Sequence, residues 1–427
     1  MIRTILAQVD SQVVTQASDA VTEAPGSLTH AIAPYMGVFF IAFFVAIIAT
    51  PLMRMLAIRN GIVDLPDLKR KNHIEPVAYL GGVAIFLGWL IAIGTAYYVV
   101  PDAMALQLNR DNPLLSIMLG AGAITLTGVF DDAYSISPRV KVGGQLFAAA
   151  ALANYNVGTQ LISTTLAIFG LTSLPIAGWD ALPTINYIIG TIMIAAMVLG
   201  GCNAMNLIDG LDGLASGVAV IAGIGFLAIA AHMSLTHPDP LADPIRITVS
   251  LALIGAVLGF LPYNFNPASI FMGDAGSLLL GYLCIASILL YSNAGARSLL
   301  LVTAGLIVFA VPITDTSLAI FRRKMQGKPI FSPDSQHIHH LLRRRGLSVK
   351  QAVFVIYFFA AVFAILGYAM VALELRWRYV LAVFFVIYGF IFVTAYKYGR
   401  QYALLHPPDA PKPDEPDLPE AINGKAE

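Results

Sequence analysis

Residues 184–204 read TINYIIGTIMIAAMVLGGCNA and run straight into Met205-Asn206-Leu207-Ile208-Asp209-Gly210-Leu211-Asp212-Gly213. The first stretch has no Asp, Glu, Lys, Arg or His, and its length suits a helix that crosses a bilayer core. The second puts Asn206, Asp209 and Asp212 three residues apart, on one face if the helix continues. Gly210 and Gly213 would instead break it and let backbone approach a ligand. A polar turn between spans is the plain alternative. The same junction of apolar run and carboxylate recurs in Gly128-Val129-Phe130-Asp131-Asp132 and in Phe271-Met272-Gly273-Asp274. An ionised Asp at a bilayer centre costs roughly 2.5–3.5 kcal/mol. Five of them are therefore expected at membrane ends, in a wet cleft around something cationic.

The rest of the chain agrees. Of 427 residues, 58% are hydrophobic and 12% charged, with mean hydropathy +0.76. A soluble globular protein carries about 25% charged residues. The expected fold is an all-α polytopic membrane protein of about 11 transmembrane helices. They are placed at 34–57, 79–100, 113–129, 142–157, 184–204, 214–234, 246–262, 277–292, 298–320, 351–373 and 378–397. Residues 158–183 read as a small hairpin or interfacial piece. Residues 1–33 form a polar N-terminal segment without a signal-peptide pattern. Residues 34–400 make a single transmembrane catalytic domain, and 401–427 a Pro-rich disordered tail. Cys202 and Cys284 lie in apolar runs and read as small buried hydrophobes.

Nineteen of the twenty-five Lys and Arg fall on one set of loops and the tail, and six on the other. The positive-inside rule puts the first set in the cytoplasm, with the N-terminus outside and the C-terminus inside. All five aspartates then face the cytoplasm, as does a cleft between them.

Each constellation has a functional and a plain reading. Asp131 and Asp132 repel one another unless a cation intervenes. Two carboxylates beside phosphates suit Mg²⁺, whereas two solvated aspartates at a helix end need no ligand. Asn264, Asn266 and Phe271 could read and stack a base, while Asp274 could simply favour a helix N-terminus. His337, His339 and His340 follow Arg322, Arg323 and Lys324 and precede Arg343, Arg344 and Arg345. So many cations disfavour a bound dication there and favour an anion, although the arginines also serve as the orientation signal. The basic loop Asp64–His73 reads either as cleft or as headgroup contact. Asp315, inside the ninth span, could support the cleft. There is no G-x-x-x-x-G-K-[ST], no H-E-x-x-H and no G-x-G-x-x-G strand–helix unit, so ATP-driven transport and Rossmann binding are unsupported. No feature points to nucleic acid.

Aspartates on some loops and His and Arg on others suggest a metal-bridged polyphosphate, because Mg²⁺ reverses the sign that phosphate meets. Together the DD pair, N-x-x-N-L-x-D-G-x-D-G-L, P-A-x-I-F-M-G-D-x-G-S and S-P-D-x-x-H-I-H-H resemble the polyprenyl-phosphate N-acetylhexosamine-1-phosphate transferases, glycosyltransferase family 4. The resemblance runs from about Asp64 to Arg345. It implies Mg²⁺-dependent transfer of a sugar 1-phosphate from a UDP-N-acetyl sugar to undecaprenyl phosphate, with release of UMP and Mn²⁺ as an alternative metal. It also allows a homodimer. By this resemblance Asp274, Asn206 and Asp132 hold the metal. Asp131, Asp132, Asp209, His337, His339 and His340 are catalytic. Asp212, Asn264, Phe271, Arg323 and Lys141 bind substrate. H-I-H-H resembles the branch that initiates O-antigen, common antigen and teichoic-acid linkage units, which implies UDP-GlcNAc as donor; another UDP-N-acetyl sugar or UDP-MurNAc-pentapeptide is the neighbouring choice. Outside the family, a secondary transporter with a carboxylate ion site and a non-catalytic lipid-binding scaffold are the rivals.

Overall fold

A computed structural model describes residues 27–64, 76–100, 104–108, 112–176, 179–325, 327, 337–376 and scattered positions from 378 to 397. The N-terminal segment up to residue 26, most of the basic loop after Asp64, and the Pro-rich tail lie outside the described residues. So does most of the stretch between Met325 and His337.

The described residues are mostly helical, with two short hairpins. A short helix, α1 (Leu28–Ile32), leads into α2 (Met36–Arg59), so helix begins before the expected boundary at 34. There follow α3 (Gly81–Val99), α4 (Pro113–Tyr134), α5 (Pro138–Asn154), α6 (Gln160–Ile168), α7 (Leu182–Ile208), α8 (Leu214–Thr236) and α9 (Asp243–Asn264). Then come α10 (Gly273–Leu289), α11 (Ser298–Val308), α12 (Ala310–Met325), α13 (Ile338–Arg344) and α14 (Val349–Ala372). Local chemistry sets many of the starts. Asn112 accepts a hydrogen bond from the Leu114 amide (2.9 Å) and Pro113 opens α4, where a missing N–H is harmless. Ser348 and Gln351 form a reciprocal capping box on α14.

Among the described residues, seven helices are long and apolar enough to cross a membrane: α1–α2 together, α3, α4, α7, α8, α9 and α14. This makes the chain a polytopic membrane protein, and seven of the eleven expected spans are among these helices. The segments expected at 142–157 and 277–292 are α5 and α10, seventeen residues each. Such a helix is about 25 Å long, at the lower end of the roughly 17–25 residues that cross a bilayer core. The span expected at 298–320 is broken into α11 and α12, bent by 75°; the pair would make an eighth crossing. The last expected span falls on residues only partly described. Residues 158–183 form α6 and the hairpin β3 (Pro175–Ile176) with β4 (Trp179–Asp180), as an interfacial piece should.

The most enclosed helices are α8, α9 and α10, around which the others pack. α9 lies between α2 and α8, and α10 between α4 and α7. α2 turns Phe40, Phe44 and Ile48 outward, the apolar exterior that lipid requires. Two glycines let α10 come close: a Cβ on Gly82 would strike the Gly276 backbone, and one on Gly128 the backbone of Asp274 and Ala275. The first turn of α10 is thus wedged between α3 and α4. A hairpin of β1 (Val63–Asp64) and β2 (Val77–Ala78) completes the wedge. Ala78 accepts the Phe271 amide (2.8 Å), and the Gly81 and Gly82 amides donate to the carbonyls of Phe271 (3.0 Å) and Met272 (2.9 Å).

A buried ion pair holds the far end of the bundle. Arg246 donates to Asp243 (2.9 Å) and to the Leu290 carbonyl, and lies 5.0 Å from the Tyr291 ring centre. Both side chains are almost fully buried. Breaking such a pair leaves one charge stranded and costs about 3–5 kcal/mol, whereas replacing both partners with apolar residues is often neutral. We therefore expect Asp243→Leu alone to lower the thermal midpoint in detergent strongly. Asp243→Leu with Arg246→Met should recover most of the loss.

Candidate active site

Lys141, in the first turn of α5, sits 2.6 Å from a carboxylate oxygen of Asp131 and 2.6 Å from one of Asp274. Three helices, α4, α5 and α10, meet at this one ammonium group. Burial alone would lower its pKa, but the two carboxylates outweigh burial and hold it above the ordinary lysine range. The other Asp274 oxygen accepts from the Asn206 amide (2.8 Å), which also donates to Ser277 (2.9 Å). Asn206 lies in the last turn of α7, so a fourth helix joins the cluster.

Asp132 does something different from its neighbour. One of its oxygens accepts the Asp274 amide (2.8 Å) and the other the Ala275 amide (3.2 Å). It is a cap on α10 supplied from α4, and it satisfies donors a helix start leaves open. Gly273, at φ +68°, brings the chain against this carboxylate where a Cβ would collide with it. Each Asp132 oxygen spends one lone pair on holding Asp274 in place and keeps a second, so the cap and the expected metal role are compatible.

Asp209 closes α7 and is half-buried. Burial first, and then the charges of Asp274, Asp132 and Asp212, push its pKa up to about 8. Asp212 accepts at one oxygen from the Asn266 amide (2.8 Å) and the Ala268 backbone (3.1 Å), so it braces the loop after α9. Asn264 is buried, accepting from Ser216 (2.8 Å) and donating to the Ile270 carbonyl (3.2 Å). Both ends of its amide bond within the fold, and each keeps capacity for one further hydrogen bond. Phe271 lies beside Tyr79, with ring centres 6.1 Å apart. The Tyr79 phenol, which bonds Asp64, is held protonated by burial and by that carboxylate.

The histidines reach the same place from α13. Asp315 on α12, 1% exposed, bonds His337 Nδ1 (2.8 Å) and accepts the Ile338 amide (2.8 Å). It orients one imidazole and anchors the start of α13 together. His339 packs on Gly210, where a Cβ would strike its Nε2. That puts it against the loop carrying Asp209 and Asp212. Its ring lies 4.2 Å from that of His340 and 5.8 Å from that of His337, centre to centre. Burial, then His340 and His337, pull its pKa down to about 4, so it is neutral near pH 7. Both its ring nitrogens are buried with no hydrogen-bond partner among the described residues, and buried polar groups in folded proteins are normally bonded. Arg323, buried in the last turn of α12, stays about 12 Å along the helix from Asp315. Tyr79 and Tyr357, the latter donating its hydroxyl to the Gly213 carbonyl, were not legible in the motifs, and Ser277 closed one of them without an assigned role. Only their neighbours in space reveal them.

The donor set can be tested against Mg²⁺. Lys141 already stands where a cation is required, shared by two carboxylates from different helices. Those oxygens and the Asn206 amide oxygen are hard ligands, the type Mg²⁺ takes. No three His, Cys, Asp or Glu side chains among the described residues form a closed metal cage. This suits an ion that uses one or two carboxylates and completes its shell with phosphate and water.

Two outcomes follow from the geometry. Between pH about 4 and about 8 the native state holds a proton on Asp209 that the unfolded chain has lost. Stability of chelator-treated protein should therefore fall as pH rises through that window, and Asp209→Asn should flatten the fall in thermal unfolding. Asp132→Ala should cost about 1 kcal/mol, the usual worth of a helix cap, while Asp132→Asn, keeping one acceptor, should cost less. Equal losses for the two would show that Asp132 is not a cap.

Comparison with known proteins gives the same direction. The Glycosyl transferase family 4 profile matches residues 114–293. A probable undecaprenyl-phosphate N-acetylglucosaminyl 1-phosphate transferase of Bacillus subtilis is 38% identical over 330 residues, covering 77% of this chain and 82% of the relative. A decaprenyl-phosphate N-acetylglucosaminephosphotransferase of Mycolicibacterium smegmatis is 32% identical over 83% of this chain and 85% of its own length. An undecaprenyl-phosphate alpha-N-acetylglucosaminyl 1-phosphate transferase of Escherichia coli is 29% identical over 81% and 88%. With carboxylates, lysine and histidines gathered at the helix ends that the profile largely spans, the chain belongs to glycosyl transferase family 4.

Proposed function

We propose that the protein transfers N-acetylglucosamine 1-phosphate from UDP-N-acetylglucosamine to undecaprenyl phosphate, releasing UMP and starting a lipid-linked envelope glycan. The observation that carries this reading is Lys141 shared between Asp131 and Asp274. A cation lodged between carboxylates at the end of apolar helices can exchange partners with an incoming lipid phosphate. The names of the relatives supply the donor sugar and the acceptor class.

In the reaction, an oxygen of the lipid phosphate attacks the β-phosphorus of the UDP-sugar. The new O–P bond forms as the bond from the β-phosphorus to the bridging oxygen breaks, and UMP leaves with that electron pair. Lys141 neutralises the lipid phosphate and holds it in line. Asp131, freed from Lys141, accepts any proton the phosphate brings. The neutral His339 and the Asp315-oriented His337 offer ring nitrogens to the pyrophosphate. Asp274 and the Asn206 oxygen would hold a Mg²⁺, which when bound supplies charge neutralisation on the pyrophosphate oxygens. A covalent aspartyl intermediate has less support, because both Asp132 oxygens bond α10 and Asp131 faces Lys141. The Lys and Arg distribution supports a cleft opening to the cytoplasm from the inner membrane.

The test is UMP release by the purified full-length chain across a panel of UDP-sugars with undecaprenyl phosphate, with and without Mg²⁺. UDP-N-acetylglucosamine should turn over fastest, and chelator should abolish release. Lys141→Met and Asp274→Ala should each lose about 100-fold or more, the usual cost of deleting a preorganised charge. Lipid-independent uptake of a solute into liposomes with no UMP formed would refute the transferase.

A further inference from the structure

At the opposite end of the bundle lies a cavity of about 440 Å³ lined by Arg297, Leu300, Glu374, Leu375, Arg376 and Arg378. Arg297 immediately precedes α11, and residues 374–378 follow α14. His237, at the end of α8, reaches it through Glu374. α8 begins beside the carboxylate site and runs 23 residues, so the two places are about 35 Å apart. Nothing in the proposed transfer uses this cavity.

Its charge does not balance. Glu374 is the one acid in the lining, and a single oxygen of it already serves two partners, His237 Nε2 (2.8 Å) and Arg297 Nη2 (3.9 Å). Among the described residues Arg376 has no acidic partner, and Arg378 touches its neighbour Tyr379. Three arginines therefore face one carboxylate. This is costly placement on the side that holds only six of the twenty-five cationic residues. Arg246, on the same side, is neutralised by Asp243; here Glu374 is shared by His237 and Arg297, and among the described residues no second acid serves Arg376 and Arg378.

The position identifies the class of anion. α14 is a membrane-length helix ending at Ala372, so residues 374–378 stand at headgroup depth. Leu373 and Tyr379 flank them and are 70% and 53% exposed, the pattern of interfacial anchors. Leu300 and Leu375 make an apolar wall beside the arginines. Guanidinium groups pair with phosphate through two parallel hydrogen bonds. We propose that this cavity binds a phosphate group, that of an anionic phospholipid, with the leucines against the first acyl carbons.

The test uses the full-length chain in neutral detergent, offered phosphatidylglycerol and phosphatidylcholine in equal amounts, with retained lipid counted by native mass spectrometry. The wild type should retain phosphatidylglycerol preferentially. Arg376→Gln with Arg378→Gln should cut that retention by about tenfold or more, since each interfacial arginine contributes roughly fivefold. Glu374→Gln should raise it, which guards against a variant that merely misfolds. Unchanged preference in the double variant, or no gain in Glu374→Gln, overturns the proposal. Millimolar inorganic phosphate is the second arm. Phosphatidylglycerol that stays bound in its presence supports the lipid, whereas displacement assigns the same arginines to a soluble phosphate and overturns the lipid assignment.

Discussion

Lys141 lies within 2.6 Å of carboxylate oxygens from two different helices, and the rest of the site depends on this contact. Without the ammonium, Asp131 and Asp274 would face each other at most twice that distance apart. At an effective dielectric constant of about 20, like charges that close repel by roughly 4 kcal/mol. With it, α4, α5 and α10 can converge, and Asn206 can approach from α7 to occupy the remaining oxygen of Asp274. The same arrangement is poised for ligand exchange, because the cation and both anions have phosphate chemistry of their own to do.

Convergence also needs α10 to start in one place. Its first turn is wedged by close backbone contact at Gly82 and Gly128, tied to β2 through Phe271, and capped by Asp132. The adjacent aspartates thus serve different ends. Asp131 faces the cleft, while Asp132 holds the helix that presents Asp274. Asp212, Asn264 and Asp315 follow the second pattern: polar groups of the motifs whose observed bonds brace loops and helix ends. A family motif in a membrane protein therefore mixes groups that meet substrate with groups that keep those groups still. The two kinds look alike in a string of letters, because both must be polar in an apolar setting.

Much was legible beforehand. Apolar runs of about twenty residues read as helices, since lipid leaves the backbone no other way to satisfy itself; seven were found where expected. The polar residues at their ends read as a site, because an unpaired carboxylate in an apolar chain is too costly to keep without use. The count of spans was less legible. α10 is as apolar as its neighbours but shorter, α5 is shorter and less apolar, and the break at Phe309 between α11 and α12 falls where Pro312 removes the N–H that would reach the Val308 carbonyl.

The sequence by itself determined that this is a helical membrane protein, that its carboxylates sit at helix ends, and which family its motifs match. These follow from hydropathy and spacing, which are local. Only the tertiary structure decided that Lys141 bridges Asp131 and Asp274, that Asp132 is a cap, that Asn264 bonds its own loop, and that His339 rests on Gly210 with both nitrogens unpartnered. Each depends on which helix ends meet and which way a side chain turns. Residues from 65 to 142 positions apart in the chain meet within a hydrogen bond's length, and no period in the sequence records that.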